Sequence, residues 1–128
     1  MPVQVGQPVS SGGVEPVSVA VSPFGVVYVA NKGDASGGAN FSGFRLGFGG
    51  TLTPIPDATY AVPAGSGPAD VLFNSTGTSL VGTLVNTSQI ESFKVFPDGR
   101  LFAAPGSPFT GQGLGQIGAE FRPTNPSQ

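Results

Sequence analysis

Val17, Val19 and Val21 alternate with Ser18, Ala20 and Ser22. A period of two puts the valines on one face of an extended strand and the smaller residues on the other. The next apolar run does not alternate. Val26, Val27, Tyr28, Val29 and Ala30 are apolar at every position, which predicts a strand buried on both faces. A third strand is expected over 41–46, with Phe44 and Leu46 on one face and Phe41 on the other. A fourth is expected near Leu52. Between the first two stands Ser22-Pro23-Phe24-Gly25, with Gly at the last turn position, where a positive φ costs least. No window shows a helical period with caps, and Gly and Pro interrupt each candidate.

This pattern returns. The stretch GVEPVSVAVSPFGVVYVAN (13–31) reappears as GSGPADVLFNSTGTSLVGT (65–83), displaced by 52 positions. NFSGFRLGFGGTL (40–52) reappears as QIESFKVFPDGRL (89–101), displaced by 49. QPVSSGGVEPVSVAVSP (7–23) lies over SPFTGQGLGQIGAEFRP (107–123) at an offset of 100. The copies of the first strand are then 69–74 and 117–122. The second strand is copied at 78–83, the third at 90–95 and the fourth near Leu101. Phe96-Pro97-Asp98-Gly99 is a hairpin turn with the Asp-Gly signal.

A repeat of about 50 residues built of four short antiparallel strands is a propeller blade. The fold class is therefore all-β. One partial propeller domain is expected over 1–128: 1–15 as the tail of a preceding blade, 16–64 and 65–115 as two full repeats, and 116–128 opening a third. Two and a half blades fall short of the roughly four to eight that close a ring. The expectation is a fragment of a longer propeller, with unpaired strand edges and two apolar blade faces exposed. A ring closed by several copies is the alternative. The redundant modules at the two ends weigh against it.

Composition narrows the chemistry. Charged residues make up 9% of the chain and the net charge is -2, too little for a nucleic-acid footprint. There is no Cys and no His. Thiolate chemistry, thiolate or imidazole metal ligation and the commonest general base are all missing, so no metal and no cofactor is expected. No run of 18 apolar residues occurs, so no membrane span is expected, and the N-terminal residues lack the pattern of a signal peptide. The compartment stays open. Asn40-Phe41-Ser42, Asn74-Ser75-Thr76 and Asn86-Thr87-Ser88 match the glycosylation pattern and hint at an extracellular parent. Gly (21) and Pro (13) recur at fixed places in the repeat, which marks them as turn residues. Gly47-Phe48-Gly49-Gly50 lacks the lysine and helix of a phosphate loop.

Topology then selects candidate residues. In such a meander the first strand lines the channel, and the second-to-third and blade-to-blade loops share one side. A ligand site is expected where that side meets the channel. Glu15, Asp70 and Glu120 are the catalytic candidates. Asp70 leads, because Ser18 and Gly118 hold its place in the sister repeats and the scaffold demands no carboxylate there. A channel carboxylate can act as general base or bind a cation. It can also be solvated, or bonded to a neighbouring blade's backbone. Glu15 takes the place of Gly67 and Gly115. Asn31, Lys32 and Asp34 are the substrate-binding candidates, in or beside the loop 31–40, which on this alignment is three residues longer than its counterpart. Arg45 and Lys94 share a repeat position and read as structural.

The segments PVSVAVSPFGVVYVAN, FRLGFGGTLTPI, GPADVLFNSTGTSLVGT, IESFKVFPDGRL and IGAEFRPTNPSQ resemble the lactonase-type seven-bladed propellers with YVTN-style repeats. These include 6-phosphogluconolactonase-like and 3-carboxymuconate-cyclase-like proteins. The resemblance implies a small-molecule substrate, a sugar lactone or carboxymuconate-type acid, opened or formed with a general base and an oxyanion donor. The family's cleft uses His and other polar side chains. None of its catalytic residues has a counterpart in this chain. The non-enzymatic readings are an interaction scaffold and an inactive truncated gene product. The remaining partners expected are further blades in a longer chain, or other copies meeting through exposed edges.

Overall fold

The computed structural model describes residues 8–110. Glu120 and the third repeat's opening strand lie outside them. Strands β1 (Pro16–Val21), β2 (Val26–Asn31), β3 (Asn40–Leu46) and β4 (Leu52–Ala61) form one antiparallel meander in chain order. Strands β5 (Pro68–Phe73), β6 (Ser79–Leu84), β7 (Gln89–Val95) and β8 (Leu101–Ala103) form a second, in which β9 (Phe109–Thr110) also pairs with β7. The two sheets are consecutive propeller blades.

The fourth strand is built alike in both. Phe44 faces Pro54 and Phe41 faces Tyr60; Phe93 faces Ala103 and Ile90 faces Phe109. In each blade the fourth strand therefore carries three extra residues across the same interval of its partner. Proline supplies the reason, since Pro56 in one bulge and Pro105 and Pro108 in the other have no N–H for the ladder. Asp57 (φ 59) and Gly106 (φ 85) take the left-handed conformation at the same repeat position.

One detail departs from the sequence alignment. The displacement of 52 holds for β1 and β5, where Val21 faces Val27 and Phe73 faces Leu80. From the second strand it becomes 53, so the copy of β2 begins at Ser79 and not at Thr78. The β5–β6 turn has one more residue than the β1–β2 turn. Asn74 explains it: its Oδ1 accepts from Thr78 N (2.9 Å) and Ser79 N (3.0 Å), closing the wider loop. In the shorter turn Ser22 Oγ accepts from Phe24 N and Val26 N. Gly25 (φ 80) and Gly77 (φ 73) supply the expected positive φ. The loop after β2 is consequently four residues longer than the loop after β6.

The core lies between the blades. Tyr28, Ala30 and Phe41 of the first pack against Val71, Phe73, Leu80 and Phe93 of the second. The run Val26–Ala30 is apolar because every residue of it but Val29 is buried. Phe41 and Tyr60 meet Phe93 edge-on, with ring centroids 5.7 and 4.7 Å away, an arrangement favoured by the aromatic quadrupole. Tyr28 is fully buried and its hydroxyl donates to the Gly99 carbonyl at 2.6 Å.

Burial, and secondarily the charge of Asp98, pushes the Tyr28 phenol well above its ordinary value. Burial and Glu91 raise Tyr60 as well. A group whose folded pKa is raised contributes stability below its unfolded pKa, and that stability is lost as pH climbs toward the folded value. The chain is therefore expected to lose thermal stability above about pH 10, where unfolded tyrosine ionises. Tyr28→Phe should flatten that alkaline limb in melts recorded from neutral pH upward. An unchanged limb would remove Tyr28 as its source.

On the far face of the first blade Val27 and Phe44 are buried, but the β1 valines beside them are not. Val17, Val19 and Val21 are 45, 62 and 55% exposed. On the sister face, Val71 and Phe73 are buried under the first blade.

Candidate functional site

β1 and β5 lie side by side at the junction of the blades. Ser18 and Asp70, repeat equivalents, meet there. Ser18 Oγ donates to Asp70 Oδ1 at 2.7 Å, and the same oxygen accepts from Val71 N at 3.0 Å. Both residues are partly buried. The carboxylate is thus oriented by a side chain of the neighbouring blade, a partner the alignment could have suggested, since it makes Ser18 and Asp70 equivalents one blade apart.

Glu15 and Lys32 come together at one end of this strand pair. Lys32 N donates to Glu15 O (2.9 Å) and Gly33 N to Val14 O (2.8 Å). Both side chains are exposed. Glu15 holds φ 61, a left-handed conformation, where the second blade has Gly67 at φ 70. A swap of neighbours makes room for it. A Cβ on Gly67 would stand 2.6 Å from Asn86 Nδ2, whereas the first blade has Gly33 at the position of Asn86. A non-glycine residue held in this region costs of order 1 kcal/mol, so the glutamate is retained against a conformational preference.

Asp34 lies in the long loop, exposed, in a one-bridge turn with Gly37. Its Oδ1 accepts from Ser36 Oγ (2.7 Å) and Ser36 N (2.9 Å). These bonds lower its pKa from the ordinary carboxylate value. Asn31 is placed differently from a rim residue. It is fully buried, and its Nδ2 donates to Asn40 Oδ1 (2.7 Å), Ser42 Oγ (3.0 Å) and Ser11 O (3.1 Å). Asn40 Nδ2 reaches Gly12 O and Ser42 Oγ reaches Ser11 O. This cluster clasps residues 11–12 to the blade. Leu84, Gln89 and Glu91 occupy its positions in the second blade, so the repeat alone carries no sign of it.

A second recess, missed by sequence reasoning, opens at the opposite loop end. Arg45, Asp57, Asp98 and Arg100 line it with Pro54 and Ile55. One ion pair lies in it, Arg100 Nε to Asp98 Oδ2 at 2.7 Å, and Arg45 donates to the Asp98 backbone carbonyl at 3.3 Å. Among the described residues no group of three or more His, Cys, Asp or Glu could hold a metal ion. Nor is any helix there long and apolar enough to cross a membrane.

No protein-family model and no curated protein matches the sequence. Solved structures do match. A periplasmic gluconolactonase from Pseudomonas aeruginosa, PpgL, aligns with a TM-score of 0.58 at 24% identity, over 72% of this chain and 27% of its own. A functionally unknown protein from Desulfotomaculum acetoxidans aligns with a TM-score of 0.65 at 17% identity, over 80% of this chain and 30% of its own. A Lactobacillus plantarum protein gives 0.58 at 20% identity, over 70% and 24%. What the chain shares with them is the fold. It spans 24 to 30% of the length of each.

Proposed function

We propose that the chain forms part of a lactonase-like propeller that hydrolyses or forms a small lactone, with Asp70 as general base. The likeness to a stretch of a gluconolactonase supports the reaction class. The observation that carries the assignment to Asp70 is its bond from Ser18, which orients a carboxylate on β5, the strand that the propeller topology leads one to expect beside the channel. In the forward direction Asp70 takes a proton from water as the oxygen attacks the lactone carbonyl. The ring C–O bond then breaks, and the leaving alkoxide takes that proton back, giving a hydroxy acid. The acid ionises at neutral pH and releases one proton to solvent. Lys32 supplies positive charge to the carbonyl oxygen. Glu15, beside Lys32 in the backbone, helps to orient the substrate.

Proton release from δ-gluconolactone, corrected for spontaneous opening, tests this. Asp70→Asn is expected to lower the catalysed rate by about 100-fold or more, and Ser18→Ala by less. Turnover unaffected by Asp70→Asn, or no turnover above the spontaneous rate, refutes the assignment.

A further inference from the structure

We propose that the recess between the two blades, at the loop end opposite Glu15 and Lys32, binds a small zwitterion, an α-amino acid with an apolar side chain. Its volume of about 640 Å³ falls within the roughly 300–1,000 Å³ of small-molecule sites. Arg45, Ile55 and Asp57 line it from the first blade, Asp98 and Arg100 from the second.

Its four charges are not engaged alike. Asp98 is held within its own turn: Oδ2 accepts from Arg100 Nε at 2.7 Å and Oδ1 from Arg100 N at 3.0 Å. Arg45 makes one long bond, 3.3 Å, to a backbone carbonyl, and among the described residues no carboxylate pairs with it. The Asp57 carboxylate has no ion pair there either. A cation and an anion thus line one recess without reaching each other. The recess carries two positive and two negative side chains, so it favours neither a net anion nor a net cation. A ligand whose two charges are separated complements both free groups together. Its carboxylate suits the planar Arg45 guanidinium, and its ammonium suits Asp57. Ile55 Cδ1 lies against Gly99, where a Cβ would stand 2.7 Å away. The apolar floor is therefore held between the blades, and a hydrocarbon side chain can cover it.

The scaffold does not demand these charges. Gly106, Gly49 and Thr51 stand at the repeat positions of Asp57, Asp98 and Arg100. Asp57 is kept at φ 59, where a side chain is disfavoured.

Titrating L-leucine into the isotope-labelled 128-residue chain, to roughly 20 mM, reaches the millimolar affinity expected of an open site. Saturable amide shifts are expected at 45–47, 53–57 and 98–100. N-acetylleucine, which lacks the ammonium, and leucinamide, which lacks the carboxylate, should each bind about tenfold more weakly or worse. Arg45→Gln should weaken leucine binding by as much. Asp57→Gly should do the same while melting no lower than the wild type, because glycine adopts that φ freely. That pair of readouts separates a ligand contact from a structural role. The absence of saturable shifts at these residues overturns the proposal. So does equal binding of N-acetylleucine or leucinamide, or undiminished affinity in Asp57→Gly.

Discussion

Phe93→Ala is expected to destabilise the chain by about 3–5 kcal/mol, the usual cost of deleting a buried phenyl ring from a core that cannot collapse around the gap. Phe93 is 1% exposed. It belongs to the second blade, yet its aromatic neighbours, Phe41 and Tyr60, belong to the first. The ring therefore couples the blades as well as filling space. Denaturant unfolding of the variant should show a much lower midpoint and, if the blades separate, a transition broader than the wild type's. Phe102→Ala is the control. Phe102 is 60% exposed, and its removal should change stability by no more than about 0.5 kcal/mol. Similar losses at both positions would show that the inter-blade core does not govern stability.

The reason Phe93 can be singled out is legible in the chain, and so are its limits. Placing Phe44 and Leu46 on one face, with Phe93 and Val95 as their copies, follows from period-two alternation. That separates Phe93 from Ile90 before any coordinates are considered. The unbroken apolar run of β2 likewise announces burial on both sides. The change of displacement from 52 to 53 is not legible. It depends on Asn74 capping two successive N–H groups, and Ser22 caps its own turn by the same chemistry with one residue fewer. The candidate site divides in the same way. Glu15 and Asp70 stand out because the repeat has Gly or Ser at their positions. Asn31 looks like the start of a surface loop, and only the return of residues 11–12 across the blade shows that its amide is enclosed. Interactions set by strand register can be read from the repeat; those made by connecting segments cannot.

Gly82→Ala should destabilise the chain by about 3 kcal/mol. The added Cβ would lie 2.4 Å from Cζ and 2.5 Å from Cε1 of Phe41, closer than carbons approach in any packed core. Phe41 is fully buried and held against Phe93, so the ring cannot retreat without opening the junction. The first blade shows that the fold itself tolerates a side chain at this position, because Val29 is its equivalent. The conflict therefore lies between blades and not within the strand. A double-mutant cycle separates the two. Phe41→Leu alone should cost about 1–2 kcal/mol through lost packing. In the Gly82→Ala background it should cost little or restore stability, giving a coupling of about 1–3 kcal/mol. Additive losses would place the damage in the backbone of β6.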